Sequence, residues 1–350
     1  MRATLAAALL LLSLSRAGVF TVTADNASAR EQPDGEVIID LQGNVVVTDG
    51  EVSVYAPQGR VWQNQERALF EGGVRIVADS LEGTGETLLY DRGSGTVILT
   101  GGVVLSDSDN TLEAHEVTYY RESGKALARD SVVMRGPWLG EVRGEYALYD
   151  RDRGSLFVTE SPVLIRAEDG DTMTVHSDRL EFFPDSSRAE AQGNVRIDVP
   201  SESFTATAEY ATYYGDEERI ELVGSPVLSS PDGELSGDWQ ELLLDEREIE
   251  SVRVDGNSKG HFVDREQDPP GETWMSAQHA LFVFSGGLID SVSLSGSAEV
   301  TVQSGGEAAS RAETNTVRGE ILTFEFDDGT LEVVTASGGV AGTYGYHSSD

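Results

Sequence analysis

The chain has 350 residues, of which 61 are aspartate or glutamate and 25 are lysine or arginine, so its formal net charge at pH 7 is −36. This charge argues against binding to nucleic acid or to an anionic membrane surface, because both are bound through basic patches. The sequence contains no cysteine, which excludes disulfide bonds, thiolate metal sites, a cysteine nucleophile and a lipid-modified cysteine anchor.

The N-terminal segment has the order of a secretory signal. Arg2 forms a short basic region, residues 5–14 are an apolar run, and Ser15-Arg16-Ala17 ends the run with small residues on either side of an arginine. We predict a signal peptide over residues 1–17, cleaved after Ala17, and therefore export to the periplasm. A retained N-terminal membrane anchor is the alternative, although the apolar run is short for a membrane span.

The following residues repeat themselves. One apolar position recurs at an interval of 29 residues, at Val45, Val74, Val103 and Val132. Looser copies follow at intervals of 31–32 residues, at Val163, Val195 and Val227. A period of this size indicates units that bury their apolar faces against their neighbours. We predict a single body of about nine units. Its regular repeats cover residues 18–256, a loop insertion covers 257–274, and less regular repeats cover 275–350.

Within each unit, apolar and polar residues alternate, which indicates strands with one buried face. Glycines at positions 43, 73, 102 and 193 interrupt these strands where a bulge or bend is expected. The sequences DRGSG, DRDRG and FDDG predict tight turns. Residues 238–252 have helical propensity, but their register with the repeat predicts strand. Each unit is thus expected to be two strands and two turns, and the protein to be all-β.

Searches for chemical motifs predict no catalytic site. The five histidines lack metal-ligand spacing, and DSDN (107–110) and EDGD (168–171) lack the full calcium-loop signature. The sequence has no phosphate-binding loop and no G-x-S-x-G nucleophile elbow. A polysaccharide-acting enzyme on a β-helix is a further alternative, but no repeat carries a distinct cluster of catalytic residue types. We therefore expect a protein that is not an enzyme and that uses neither cofactor nor metal.

The same residues carry a family resemblance. The family pattern is a strand ending in Ala-Asp, apolar residues leading to Gly-x-Val, and an alanine and a tyrosine before the next turn. This pattern is matched at Ala24-Asp25, Gly43-Asn44-Val45, Ala78-Asp79, Tyr90, Gly102-Val103, Ala114, Tyr119 and Gly193-Asn194-Val195. The chain, most clearly over residues 19–230, resembles the OstA-like (LptA/LptC) family of periplasmic lipopolysaccharide-transport proteins.

The resemblance implies an elongated, open β-jellyroll, in which two sheets form a V around an apolar groove. It implies that the groove holds the acyl chains of lipopolysaccharide or lipid A, and that terminal strands pair with inner- and outer-membrane transport components or end to end with another copy. The implied pairing edge contains Phe20 and Val22. The candidate groove residues are Leu41, Val45, Val47, Phe70, Val74, Ile76, Val97, Leu99, Val103, Leu105, Val132, Met134, Val163, Ile165, Val195 and Ile197.

An alternative interpretation fits the same alternating pattern. A closed, dry core and an open groove require the same apolar residues on the inner face of each strand. The chain is then a structural or adhesive exported β-repeat protein rather than a lipid bridge. Sequence alone leaves both interpretations open.

Overall fold

The computed structural model describes residues 21–48, 51–78, 80–168, 171–245, 248–265, 268–305, 314–327 and 330–345. The all-β prediction is confirmed, since these ranges hold 26 strands and three 3₁₀ turns at Pro184–Ser186, Pro200–Glu202 and Gly215–Glu217. None of their helical segments is long and apolar enough to cross a membrane. The predicted signal peptide and Phe20 lie outside the described residues.

The chain divides into two compact units. Unit 1 contains the described residues up to 166 together with 178–186, and unit 2 contains those of 167–177 and from 187 onwards. The strands of unit 1, with the end of β12 crossing the boundary, are β1 (Thr21–Thr23), β2 (Asn26–Glu31), β3 (Val37–Thr48), β4 (Val52–Trp62), β5 (Arg67–Ala78), β6 (Leu81–Asp91), β7 (Thr96–Ser106), β8 (Thr111–Tyr120), β9 (Lys125–Gly136), β10 (Gly140–Asp150), β11 (Ser155–Thr159), β12 (Val163–Glu168) and β14 (Arg179–Phe183).

Unit 2 contains the remaining strands. They are β13 (Asp171–His176), β15 (Arg188–Val199), β16 (Phe204–Tyr214), β17 (Arg219–Val223), β18 (Val227–Ser230), β19 (Gly233–Ser236), β20 (Trp239–Asp245), β21 (Glu248–Asp264), β22 (Gly271–Ser285), β23 (Leu288–Gln303), β24 (Thr314–Asp327), β25 (Thr330–Ser337) and β26 (Ala341–Gly345). The strand prediction for residues 238–252 is confirmed for residues 239–245 and 248–252, which belong to β20 and β21.

In unit 1, a register shift in the middle of each long strand divides the strands between two sheets. Consecutive strands pair antiparallel, and the shift falls at the same place in successive pairs. Sheet I consists of residues 26–31, 37–42, 58–62, 67–71, 87–91, 96–100, 116–120, 125–129, 146–150, 155–159 and 179–183. Sheet II consists of residues 21–23, 45–48, 52–55, 74–78, 81–84, 103–106, 111–113, 132–136, 140–143 and 163–165.

The line of register shifts forms the vertex at which the two sheets meet. At the vertex, two consecutive residues adopt positive φ, at positions 43–44, 72–73, 101–102, 130–131, 160–161, 193–194, 224–225, 256–257, 296–297 and 338–339. A double left-handed step bends a strand sharply and favours glycine and asparagine. The predicted bends at glycines 43, 73, 102 and 193 are thus confirmed. The interval between vertices rises from 29 residues in unit 1 to 42 at the end of unit 2.

Unit 2 has the same plan with longer strands. Its sheet I consists of residues 188–192, 210–214, 219–223, 239–243, 248–255, 279–285, 288–295, 321–327 and 330–337. Its sheet II consists of residues 174–176, 195–199, 204–208, 227–230, 233–236, 258–264, 271–276, 298–303, 314–319 and 341–345.

The predicted loop insertion over residues 257–274 is wrong for most of its length. Residues 257–264 belong to β21 and residues 271–274 to β22, which pair with each other. The connection between them comprises only residues 265–270. The repeat lost its period because β21, β22 and β23 have 17, 15 and 16 residues, against 10–12 in β3 to β10.

Candidate functional site

The inner faces of the two sheets of unit 1 carry no charge. The inward positions of β3 to β10, set by the register, hold only valine, isoleucine, leucine, alanine, glycine, phenylalanine, methionine and tyrosine. Most of these side chains are buried, so the two inner faces cover each other. Together they form one apolar interior that runs across successive strands.

Fourteen of the sixteen predicted groove residues lie on inner faces. In unit 1, Leu41, Phe70, Val97 and Leu99 belong to sheet I, and Val45, Val47, Val74, Ile76, Val103, Leu105, Val132 and Met134 belong to sheet II. In unit 2, Val195 and Ile197 belong to sheet II, opposite Ala208 and Ala206. The alternation read from the sequence therefore assigns the correct face at these positions.

Two predicted groove residues, Val163 and Ile165, face outwards, whereas the sequence predicted that they face the interior. They lie opposite Arg143 and Glu141, whereas Leu164 lies opposite the fully buried Val142. Leu164 is therefore the inward residue of this part of β12. The error has a simple cause, since a shift of one residue moves a whole strand segment to its other face. The double left-handed step at 160–161 sets the phase of β12.

The inward side chains of unit 1 are almost completely buried near the vertex. They are more exposed in one part of the rim, which is the border of the two sheets away from the vertex. Val45, Val74 and Val103 expose only 1–2% of their surface. Of the fourteen inward residues, Val47 alone is half-buried. On sheet I, the inward row next to the turns starts half-buried at the N-terminal end, at Ile39, Val61, Ala68 and Tyr90, and becomes buried from Val97 onwards. The rim beside β3 to β6 is thus the accessible part of the interior.

An aromatic contact bridges the two sheets at the other end of unit 1. Trp138, in the turn between β9 and β10, meets Phe182 of sheet I edge-on, with ring centroids 6.0 Å apart and an interplanar angle of 81°. Its neighbour Leu139 is buried although it lies in a turn. Aromatic pairs in this geometry add to the energy of burial. The turn at residues 137–139 therefore folds over the interior and covers it.

Unit 2 has its own contact between sheets and a more open rim. The rings of Phe262 in sheet II and Phe282 in sheet I lie 6.1 Å apart. Further out along the longer strands, the inward residue Phe324 is only half-buried, and Val302 is 39% exposed. The longer strands thus place apolar side chains where neither sheet covers them fully.

Buried polar side chains interrupt the apolar interiors of both units. In unit 1, the hydroxyl group of Tyr119 is buried and has no hydrogen-bond partner among the described residues. Burial raises the pKa of this phenol, while the nearby Arg151 and Arg121 act in the opposite direction. In unit 2, the Gln240 side-chain nitrogen donates hydrogen bonds to the carbonyl oxygens of Leu235 and Pro226. The sequence predicted Tyr119 only as part of the family pattern, and it did not single out Gln240.

Charged side chains occupy the outer faces in ion pairs. Asp40 accepts hydrogen bonds from Arg60 and Arg30, and these lower the pKa of its carboxyl group. Arg135 lies between Glu141 and Glu113 and lowers the pKa of Glu141 in the same way. Such pairs keep the acidic surface ordered, but each adds little to stability because it is exposed to solvent.

The turn at residues 107–110 is held by its own side chain. The Asp107 carboxylate accepts hydrogen bonds of 2.8 Å from the backbone N–H groups of Asp109 and Asn110. Within the described ranges, no group of three or more histidine, aspartate or glutamate side chains is arranged to hold a metal ion. Of the EDGD segment, residues 169–170 lie outside the described part of the chain.

The strands at both ends of the chain's described part are exposed edges. All residues of β1 and β2 are exposed, and Val22, on the inner face opposite Val47, is 46% exposed. At the other end, β25 and β26 are also exposed along nearly their whole length, including Val333 and Tyr344. Unpaired strand edges of this kind are able to accept another strand.

Comparison with known proteins agrees with the geometry over the first repeats. Residues 21–125 match the family described as LptA/(LptD N-terminal domain) LPS transport protein. Among solved structures, the chain resembles LptH of Pseudomonas aeruginosa, described as the LptA homologous periplasmic component of the lipopolysaccharide transport device. That likeness has 20% identity and a TM-score of 0.27, and covers 30% of this chain and 77% of LptH. No curated protein matches the chain.

The chain therefore contains an LptA-like segment of the lipopolysaccharide-transport type, and the resemblance inferred from the repeats is confirmed there. The matched segment covers β1 to β8 and enters β9, which includes the accessible part of the rim of unit 1.

Proposed function

We propose that the protein is a non-enzymatic lipid carrier or bridge of the periplasm, which holds the acyl chains of lipopolysaccharide between its two sheets during export to the outer membrane. The observation that carries the proposal is the uncharged inner face of β3 to β10, of which β3 to β8 lie within the segment that matches the transport family. An acidic protein is able to carry an anionic glycolipid in this way, because the binding energy comes from the hydrocarbon.

The energy available from hydrocarbon burial is sufficient. Each methylene removed from water contributes about 0.8 kcal/mol, so ten sheltered methylenes contribute roughly 8 kcal/mol before the cost of ordering. An exposed ion pair contributes about 0–1 kcal/mol. Acyl chains therefore dominate the affinity, and headgroup contacts adjust the position of the lipid.

Entry of an acyl chain requires the sheets to separate at the rim. Near the vertex, Val45, Val74 and Val103 are almost completely buried within the protein itself. The half-buried residues Val61 and Tyr90 mark the place where a chain first meets apolar surface. Opening by rotation about the vertex would then expose the deeper valines, while the backbone hydrogen bonds within each sheet stay intact.

The exposed edges support a second part of the proposal, pairing with transport partners or with another copy. The N–H groups of Val22 and Thr23 point to opposite sides of β1, so only one of them faces away from β3. Val22→Pro and Thr23→Pro should therefore differ. The substitution at the residue whose N–H group faces away from β3 should weaken association and leave the body folded. The other substitution should disrupt pairing with β3. Sedimentation of both variants with unchanged assembly would reject pairing at this edge.

A second candidate function is a structural or adhesive β-repeat protein with a closed core. The burial of most predicted groove residues favours it, as does the cover formed by Trp138 and Leu139. The two functions differ in whether any lipid enters the interior.

The test is to purify the protein from the periplasm without detergent and to extract its lipid for mass spectrometry. A carrier should yield lipopolysaccharide in amounts comparable to the protein. An outer-face variant, Arg135→Gln, should yield the same amount, whereas an inner rim variant, Val61→Glu, should yield little. Recovery of lipid that does not change with Val61→Glu would favour the closed-core function.

A further inference from the structure

The turns of sheet I in unit 1 carry a regular row of arginines in an otherwise acidic protein. Three successive turns, at residues 92–95, 121–124 and 151–154, each begin with an arginine. The turns stack in register, because the N–H groups of Arg92, Arg121 and Arg151 donate to the carbonyl oxygens of Glu66, Gly95 and Gly124, respectively. Equivalent positions two strands apart are separated by about 9.5 Å. We call Arg92, Arg121 and Arg151 the arginine rim.

The arginine rim lies on the inner side of the turns. The Arg121 guanidinium donates a 3.0 Å hydrogen bond to the hydroxyl group of Tyr90, whose ring belongs to an inward row of sheet I. The Arg151 guanidinium lies over Gly124, within 2.6 Å of where a β-carbon would be. Both arginines act on the phenol of Tyr119, which belongs to the same inward row. Arg121 therefore borders the accessible part of the apolar interior at Tyr90, and Arg151 borders its buried continuation at Tyr119.

The two rims of unit 1 differ in charge beside the arginine rim. Turns 92–95, 121–124 and 151–154 of sheet I hold four arginines and two carboxylates, whereas turns 32–36 and 63–66 hold three carboxylates and no lysine or arginine. The described residues of the turns of sheet II, 51, 80, 107–110 and 137–139, hold three carboxylates and no lysine or arginine. A molecule with an apolar part in the interior and an anionic part at the opening therefore meets attraction on one rim and repulsion on the other.

Two arginines of the rim, Arg92 and Arg151, are exposed to solvent. The Arg92 side chain is 56% exposed and pairs with Glu66 at 2.9 Å, and Arg151 is 38% exposed and pairs with Asp152 at 3.6 Å. Exposed pairs of this kind are weak and exchange partners readily. A guanidinium group binds a phosphate with two parallel hydrogen bonds, which a single carboxylate at 3.6 Å does not match.

We infer that the arginine rim binds the phosphorylated headgroup of the glycolipid whose acyl chains occupy the interior. Tyr119 supports this inference. Its buried hydroxyl group has no hydrogen-bond partner among the described residues and lies just inside the arginine rim. It is placed to donate a hydrogen bond to the polar linkage between headgroup and hydrocarbon. The inference rests on the proposed lipid-carrying function and adds that the lipid has one fixed orientation across the opening.

The test compares two triple variants that remove equal charge. R92Q/R121Q/R151Q removes the arginine rim, and R75Q/R135Q/R143Q removes three exposed arginines from the outer face of sheet II. Binding is measured for phosphorylated lipid A and for the same lipid after phosphatase treatment, each in the presence and absence of inorganic phosphate. Circular dichroism and thermal unfolding establish that both variants are folded, and R121Q alone serves if the rim triple variant is not.

We expect the wild-type protein to bind phosphorylated lipid A roughly tenfold more tightly than the phosphatase-treated lipid. The rim variant should lose this preference, and the outer-face variant should keep it. Equal binding of both lipids by the wild type, or equal losses in both variants, would overturn the inference and leave the carrier function standing. Full competition by millimolar inorganic phosphate would assign the rim to free phosphate instead. Failure of the wild type to bind either lipid would overturn the carrier function as well.

Discussion

Units 1 and 2 build the same two-sheet plan with strands of different length. In unit 1, β3 to β10 have 10–12 residues and their inner faces are largely buried. In unit 2, β21 to β24 have 14–17 residues, and their inward side chains become half-buried towards the rim. At about 3.3 Å per residue, the longest strand adds roughly 15 Å to the combined width of the two sheets.

In the two units, longer strands accompany a more exposed interior. Near the vertex, both units bury small and medium apolar residues. Towards the ends of the long strands of unit 2, inward side chains such as Phe324 and Val302 are less buried. Unit 1 has shorter strands and the cover formed by Trp138.

The largest expected effect comes from placing a charge at matched inward positions of the two units. Val103→Asp puts a carboxylate into the filled interior of unit 1, where no cation faces it, and should cost about 4 kcal/mol or more of unfolding free energy. Val302→Asp puts the same group at the open rim of unit 2 and should cost less than about 1 kcal/mol. Urea denaturation followed by circular dichroism measures both. Similar losses would show that the rim of unit 2 is as dry as the interior of unit 1.

Replacing a glycine at the vertex should have the next largest effect on the unfolding free energy. This effect should be the same in both units. Gly101 has φ +85°, and an added β-carbon would lie 2.5 Å from that of Glu86, whereas Gly102 has φ +63° and open space around it. Gly101→Ala should cost about 2 kcal/mol or more, and Gly102→Ala about 1 kcal/mol.

The same order should hold in unit 2, where Gly338 meets Glu320 and Gly339 meets nothing within 4 Å. Thermal unfolding of the four alanine variants checks this. A reversed order in either unit would mean that the vertices are not equivalent.

Much of this architecture could be predicted from the sequence, because its signals are local. The alternation of apolar residues and the glycines at the vertex depend on neighbours along the chain, and they gave the strands, the bends and the face of fourteen candidate residues. The phase of β12 could not be obtained in this way. It depends on the double left-handed step at Glu160 and Ser161, residue types that do not indicate a bend by themselves.

The rim residues were missed for a related reason. Arg121 and Tyr90 are 31 residues apart, and only the stacking of successive turns brings them together. In the sequence, Trp138 has the features of an ordinary turn residue, and only the structure shows its contact with Phe182. Contacts between the two sheets leave no periodic signal, because each depends on a single side chain.

The cover over unit 1 should contribute a moderate amount of stability. Trp138→Ala removes the contact with Phe182 and exposes Leu139, and should cost about 2 kcal/mol while increasing the binding of a fluorescent apolar dye. Trp274→Ala in unit 2 is the control, since that side chain is 38% exposed and stacks on His261 on an outer face. Equal effects on stability and dye binding would contradict a covering role for Trp138.

The smallest expected difference between the two units is in the stability that each loses at low pH. Among the described residues, the pKa is lowered in five carboxyl groups of unit 1 and one of unit 2, which are Asp40, Glu82, Asp91, Glu141, Asp150 and Glu299. Hydrogen bonds from arginines or turn amides cause most of these shifts. At Asp150, burial acts in the opposite direction and is outweighed by Lys125 and two turn amides.

A lowered pKa in the folded state adds stability above the unfolded-state pKa, near 4, and this stability is lost as the pH falls through the folded-state value. Unit 1 should therefore lose more stability than unit 2 below about pH 4. The fluorescence of Trp138 and Trp274, each kept with the other tryptophans replaced by phenylalanine, reports on the two units separately. Earlier acid unfolding at Trp274 would contradict this assignment.

We propose that hydrocarbon enters between the two sheets. Site-specific photo-crosslinking in cells detects this entry. Tyr90 and Leu89 are adjacent and both half-buried, but Tyr90 faces the interior and Leu89 faces outwards. Val103 and Val104 form a second such pair at greater depth. We expect crosslinkers at Tyr90 and Val103 to capture lipopolysaccharide and those at Leu89 and Val104 not to capture it. Equal capture at both faces, or capture at neither, would contradict this proposal.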